Sequence, residues 1–285
     1  MNLPDPVVQV SGAAEVAPDV VVIPNDGAGL VPNIGVIGGA DAVLVVDTGL
    51  GVENASHVLE LAAEVARGRR IYLTTTHFHP EHAFGASVFV GSYVVNRAQA
   101  DDLRRKGSGY LEMFRGFGGA IASRLDGCEV PVPDFVFDGV HTLDLGGRSV
   151  VLRPTGRGHT LGDQVIEVPD AGVLFTGDLA ETGQFAIFPW FPPHDTDVSG
   201  VAWIAVMDRL IAAAPRIVVP GHGTAGGQEV LADVRDYLRE LRDETWRRRD
   251  SPDVVAEVRA LMIERHPEWA GQEWIERGVA CLCAE

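Results

Sequence analysis

His77, His79, Glu81 and His82 fall within the stretch Thr74-Thr-Thr-His-Phe-His-Pro-Glu-His-Ala-Phe-Gly85. Neutral imidazole nitrogens and carboxylate oxygens are the donors that zinc and related divalent ions take. One histidine at a strand end would read as a surface residue. Three histidines and a carboxylate this close point to a metal site.

The element that must present them begins at Ile71-Tyr-Leu-Thr-Thr, a β-branched and apolar strand signal. In an extended chain alternate side chains share a face, which would bring His77 and His79 to one site. Pro80 ends the strand and suits the first position of a helix, with Glu81 near its positive end. The spacing predicts a short helix that carries Glu81 and His82 back towards the first two imidazoles.

Three later segments share one format, in which a strand leads to a glycine and then to a metal-capable residue: Gly158-His159, Gly177-Asp178 and Gly221-His222. Strand-end loops are where a rigid scaffold places functional groups. Ala42-Val-Leu-Val-Val likewise runs into Asp47, an acid that reads either as turn chemistry or as support for a ligand.

The rest of the chain reads as alternating blocks. Two early strands between Val7 and Val22 precede a hairpin of Asn33–Ile37 with Ala42–Val46, turned at Gly38-Gly-Ala-Asp. A helix over Asn54–Arg67 leads to the histidine strand. Tyr93-Val-Val is a short strand, and Ala98–Leu125 is a glycine-interrupted helical insertion whose Tyr110, Met113, Phe114 and Phe117 read as core. Five strands follow between Phe135 and Phe175, then a helix over Val201–Ala214 and a last strand at Arg216–Pro220. The remainder is helical, broken at Ser251-Pro252 and His266-Pro267. Strands then helix, twice, with no linker, predicts two halves packed sheet to sheet with helices outside. Residues 1–225 read as the catalytic domain, with the insertion near 98–125; residues 226–285 read as a helical extension packed on it. Trp246, Trp269, Trp274 and Ile275 would anchor that extension on the core or on a second subunit, and the oligomeric state, a homodimer included, stays open.

With 285 residues and 46% hydrophobic content the chain can bury a large core. Its net charge of −17 opposes nucleic-acid and anionic-membrane partners and favours a small-molecule substrate. Three cysteines make no disulfide framework, and Cys281 and Cys283 read as a buried apolar pair. With no signal-like N-terminal run and no membrane-length apolar stretch, the expected location is cytoplasmic. Phe188-Pro-Trp-Phe-Pro-Pro193 resists a helix and offers Phe188, Trp190 and Phe191 as a pocket wall, against the alternative of a packed loop. His57, His141, His194 and His266 have no such context and read as structural or surface residues.

The pattern His77-Phe-His79-Pro-Glu81-His82, then Gly158-His159, Thr176-Gly-Asp178 and Gly221-His222, resembles the metallo-β-lactamase-fold superfamily over about Val7–Gly223. The resemblance implies a four-layer αββα sandwich of the α/β class with two metals at one edge. It implies that His77, His79 and His159 hold one ion. Glu81, His82 and His222 would hold the other, with Asp178 bridging and Asp47 orienting a ligand imidazole. The family has Asp where this chain has Glu81, a longer side chain with one more torsion. The implied cofactors are two divalent ions, zinc first and iron as the alternative. The implied activity is hydrolysis by a metal-bound hydroxide of a small ester, lactone, thioester or amide, with Glu81 and Asp178 in catalytic roles. The rivals are a mono-iron persulfide dioxygenase-like oxidoreductase, using His77, His159 and Asp178, and a non-catalytic metal-binding relative.

Overall fold

The computed structural model describes residues 4–285. Strands β1 (Ala14–Ala17), β2 (Val20–Ile23), β3 (Ile34–Gly38), β4 (Ala42–Val46) and β5 (Arg70–Thr74) form one sheet in sequential order. The first four run antiparallel; β5 pairs parallel to β4 because helix α1 (Gly51–Ala66) carries the chain back between them. The second sheet repeats this plan. Strands β8 (His141–Asp144), β9 (Ser149–Pro154), β10 (Gln164–Val168) and β11 (Val173–Glu181) are antiparallel, and β12 (Ile217–His222) returns parallel to β11 through helix α5 (Gly200–Ala212). Between the halves, β6 (Val94–Asn96) and β7 (Phe135–Phe137) form a parallel pair flanking α3 (Arg97–Gly116) and α4 (Gly119–Arg124).

Strand periodicity distributes the core into layers. In β4, Leu44 and Val46 face the second sheet and pack with Leu152, Ile166 and Phe175. Its alternate residues, Val43 and Val45, face outward onto Val58 and Ala62 of α1. Phe175 lies over β3 so closely that a Cβ on Gly35 would stand 2.6 Å from its ring, so glycine is required there. On the far face of the second sheet, Val165, Leu174 and Val218 pack with Trp203 of α5 and with Leu238, Met262 and Val279. Those three belong to α6 (Glu229–Arg247), α7 (Val254–Arg265) and α8 (Glu273–Ala284). The result is the αββα sandwich, and the C-terminal helices share the outer core of the second sheet.

Two local readings are corrected. Strand β5 ends at Thr74, so His77 and His79 stand in an irregular loop over 75–79 rather than on a strand. Cys281 is buried, but Cys283 is exposed on the other side of α8, since neighbouring odd positions on a helix do not share a face. Of the expected anchors, Ile275 is fully buried, and Trp246, 39% exposed, donates its indole N–H to the Leu282 carbonyl of α8 at 3.0 Å.

Candidate metal centre

All the donor groups meet at one edge of the sandwich, where β4, β5, β11 and β12 end. After Thr74 the loop swings His77 and His79 inward. Pro80 opens α2 (Pro80–Ala83), which presents Glu81 and His82. His159 comes from the loop between β9 and β10, and Asp178 and His222 from the ends of β11 and β12. Gly221 lets these two strands close: a Cβ there would lie 2.0 Å from Asp178 Oδ1. Every one of the seven side chains is buried, His222 the most exposed at 7%.

They form two sets that share Asp178. His77, His79, His159 and Asp178 make one; Glu81, His82, Asp178 and His222 make the other, and within each the donor atoms lie within 4.8 Å of one another. In the first set His79 Nδ1 stands 3.0 Å from His77 Nε2 and 3.1 Å from His159 Nε2. Ligands about 2.0–2.1 Å from a tetrahedral zinc stand roughly 3.3 Å apart, so this spacing suits such an ion. Asp178 Oδ2 closes the set at 3.8 Å from both His77 Nε2 and His159 Nε2. Its Oδ1 faces the second set, 3.3 Å from His82 Nε2 and 3.5 Å from His222 Nε2. His82 Nε2, His222 Nε2, Glu81 Oε2 and both Asp178 oxygens are buried without a hydrogen-bond partner. Native proteins pair nearly all such groups, and a bound cation supplies the missing partner. The residues fit the metals that the sequence implies.

The outer nitrogens are held. His82 Nδ1 lies 2.9 Å from Asp47 Oδ2, and Asp47 Oδ1 also accepts the Thr76 amide at 2.7 Å. Asp47 adopts a left-handed backbone, φ 67°, that turns its carboxylate back under the loop. His159 Nδ1 contacts the Ile187 carbonyl oxygen at 2.8 Å. Such contacts fix tautomer and ring orientation. Burial, with neighbouring imidazoles, holds His77 and His79 well below the usual imidazole range; burial takes His159 down to about 4. Burial also disfavours charge on His82, but the carboxylates of Asp178 and Asp47 outweigh it and hold its pKa well above the ordinary value. Burial raises Glu81 to about 7.

A cavity of about 1020 Å³ opens onto His79, Glu81 and His222. The aromatic stripe of α3, expected to be core, serves both purposes: Tyr110 and Phe114 are buried, yet together with Met113 and Phe117 they line this cavity. Of the three proposed wall residues only Phe191 lines it. Phe188 is fully buried against Trp203, and Trp190 packs half-buried on the same core, its carbonyl accepting from Arg277 at 3.0 Å. The prolines around them bend the loop so that these rings point into the outer core while Phe191 turns to the cavity.

Two further groups escaped the sequence. Glu181, three residues beyond Asp178, is 3% exposed and sits near the Ile187 segment that aims His159. Its position in an apolar strand was the only signal. Asp163 is buried and accepts the Thr160 amide at 2.9 Å, bracing the loop that carries His159.

Comparison with known proteins gives a family match described as the metallo-beta-lactamase superfamily over residues 27–222. The chain is 28% identical over 118 residues to a metallo-beta-lactamase type 2 of Bacteroides fragilis, covering 41% of this chain and 46% of that protein. It is 26% identical over 228 residues to the acyl-coenzyme A thioesterase MBLAC2 of Bos taurus, covering 72% of this chain and 78% of that one. Among solved structures, the sec-alkylsulfatase Pisa1 from a Pseudomonas species aligns over 94% of this chain and 49% of its own, with a TM-score of 0.73 at 17% identity. At that identity the likeness shows the fold.

Proposed function

Because the chain belongs to the metallo-beta-lactamase superfamily, we propose that it is a metal-dependent hydrolase of a small ester, lactone, thioester or amide. The observation that carries this reading is the pair of complete donor sets sharing Asp178, placed against a cavity large enough for a substrate. Divalent ions held there would supply water ionised near neutral pH and a polarising charge for a carbonyl oxygen. The chain's own groups do the rest. His77, His79 and His159 are kept neutral by burial, which leaves their lone pairs free to bind. Asp178 joins the two sets through its two oxygens. Glu81, beside the cavity with Oε2 unpartnered, would help hold the second ion and is placed to accept a proton from the attacking water. The buried surroundings exclude bulk solvent and strengthen each of these interactions.

Two complete sets favour two zinc ions over the single iron of a persulfide dioxygenase, and a cavity meeting the donors favours catalysis over mere metal storage. No helix among the described residues is long and apolar enough to cross a membrane; a cytoplasmic enzyme acting on a small molecule is part of this proposal. The test is metal analysis of protein purified without added metal, with an ester, lactone, thioester and amide panel assayed before and after chelation. About two zinc ions per chain and turnover that chelation abolishes and zinc restores are expected. A single iron, persulfide-dependent oxygen uptake and no hydrolysis would overturn the reading.

A further inference from the structure

The donors form the floor of the cavity; its walls carry separate information. One wall is the end of α3, with Met113 and Phe114 in its last turn and Phe117 just beyond it. Ile187, Phe191 and Trp274 line it as well. Among the described residues, no lysine or arginine lines the cavity, whereas the exposed Asp26 and Glu273 do. Of the nearby cations, Lys106 is committed to carboxylates and Arg277 stacks behind the aromatic wall. Lys106 contacts Asp195 at 2.9 Å and Asp197 at 2.6 Å. Arg277 lies over the Phe191 ring at 4.3 Å and donates to the Trp190 carbonyl. The net charge of −17 adds a long-range field of the same sign as the two rim acids.

Resting on the hydrolase reading, we propose that the cavity selects substrates with an apolar acyl group and an uncharged leaving group, and rejects leaving groups that carry phosphates. Apolar walls reward each buried methylene by about fourfold in affinity. A phosphate-bearing group emerging past Asp26 and Glu273 meets like charge, with no lysine or arginine among the lining residues to offset it, and like-charge juxtaposition is a strong means of excluding partners. Thioesters of small neutral thiols and simple esters or lactones meet the requirement; coenzyme A thioesters do not.

The test uses S-octyl-N-acetylcysteamine and S-octyl-coenzyme A, thioethers that a hydrolase does not cleave, titrated calorimetrically into the metal-loaded full chain at low salt. The neutral compound should bind at least tenfold more tightly. Replacing both exposed rim acids, Asp26→Lys with Glu273→Lys, should narrow that ratio at least threefold. Equal or tighter binding of the coenzyme A compound, no binding of the neutral one, or a ratio unmoved by charge reversal would each overturn the proposal. The matching octanoyl thioesters are assayed separately for turnover. Selective binding without hydrolysis of either thioester or of the ester, lactone and amide panel defeats the hydrolase reading and keeps the pocket assignment. Hydrolysis of both with unselective binding does the reverse.

Discussion

The ring of Tyr110 lies nearly parallel on the imidazole of His79, with centroids 4.9 Å apart and 27° between planes. Its hydroxyl donates to Asp195 Oδ2 at 2.8 Å, and Lys106 holds the other oxygen of that carboxylate. The inserted helix α3 thus fixes a metal donor through a stacked ring. Tyr110→Phe keeps the ring and loses one hydrogen bond, so metal affinity should stay within about twofold while stability falls by about 1 kcal/mol. Tyr110→Ala frees His79, and affinity should drop about 10–100-fold. Competition with a chromophoric chelator reads both; an Ala variant of unchanged affinity would reduce Tyr110 to a wall residue.

Asp47 holds His82 and the Thr76 amide with its two oxygens. Asp47→Asn retains an acceptor for Thr76 but removes the charge facing His82. The fold should survive, with metal affinity lowered about 10–100-fold. Asp47→Ala should also cost about 1–3 kcal/mol of stability, because the buried amide loses its acceptor. Metal titration and denaturant unfolding of the two variants separate the effects. Full metal affinity in both would leave Asp47 a turn residue.

At Glu81, Glu81→Asp preserves charge with a shorter reach and should retain two ions. Glu81→Gln removes the charge at the unpartnered Oε2. It should lose second-set metal and at least about tenfold in turnover, about 1.4 kcal/mol of transition-state stabilisation. A Gln variant with two tightly held ions and full activity would leave Glu81 only a helix-end residue of α2.

Phe188 and Phe191 should behave oppositely. Phe188→Ala opens a void beside Trp203 and should cost about 3–5 kcal/mol, with KM unchanged in the folded fraction. Phe191→Ala should raise KM with a stability change near 1 kcal/mol or less. Thermal unfolding beside steady-state kinetics decides this; a normal KM in Phe191→Ala removes it from the cavity's function.

Asp102 sets a pH dependence away from the metal donors. Burial raises its pKa to about 6 in the folded chain, although Lys106 lies 3.4 Å away. Unfolded, it returns to about 3.9, so between these values the folded state holds the extra proton. Stability from this group therefore falls as pH rises from about 4 to 6, by about 3 kcal/mol in all. Asp102→Asn cannot titrate, so its loss of stability between pH 4 and pH 8 should be smaller than that of the parent by about that amount. Parallel denaturation curves at the two pH values for both proteins test it; identical pH dependence would show that Asp102 is ionised throughout.

The donor residues were legible because metal chemistry restricts residue type and because each follows a strand or glycine signal: His77 to His82 by their density, and Gly158-His159, Gly177-Asp178 and Gly221-His222 by their repeated format. The two-sheet architecture was legible for a similar reason, since the hydrophobic period of β4 and its neighbours dictates which faces are covered. Tertiary structure alone decided what surrounds the donors. The resemblance offered Asp47 as support for a ligand imidazole, but that the imidazole is His82 rested on a positive φ and on a loop returning 29 residues later, a pairing that local pattern does not encode. Glu181 and Asp163 carry no local signal of what they brace, and only their burial and contacts show it. The aromatic residues of α3 and of Phe188–Phe191 have the same apolar signature whether they fill a core or line a cavity. Only the placement of α3, the loop after β11 and the start of α8 around one cavity assigns Phe188 to the core and Phe117, Phe191 and Trp274 to the cavity, because hydrophobicity drives burial without specifying against what.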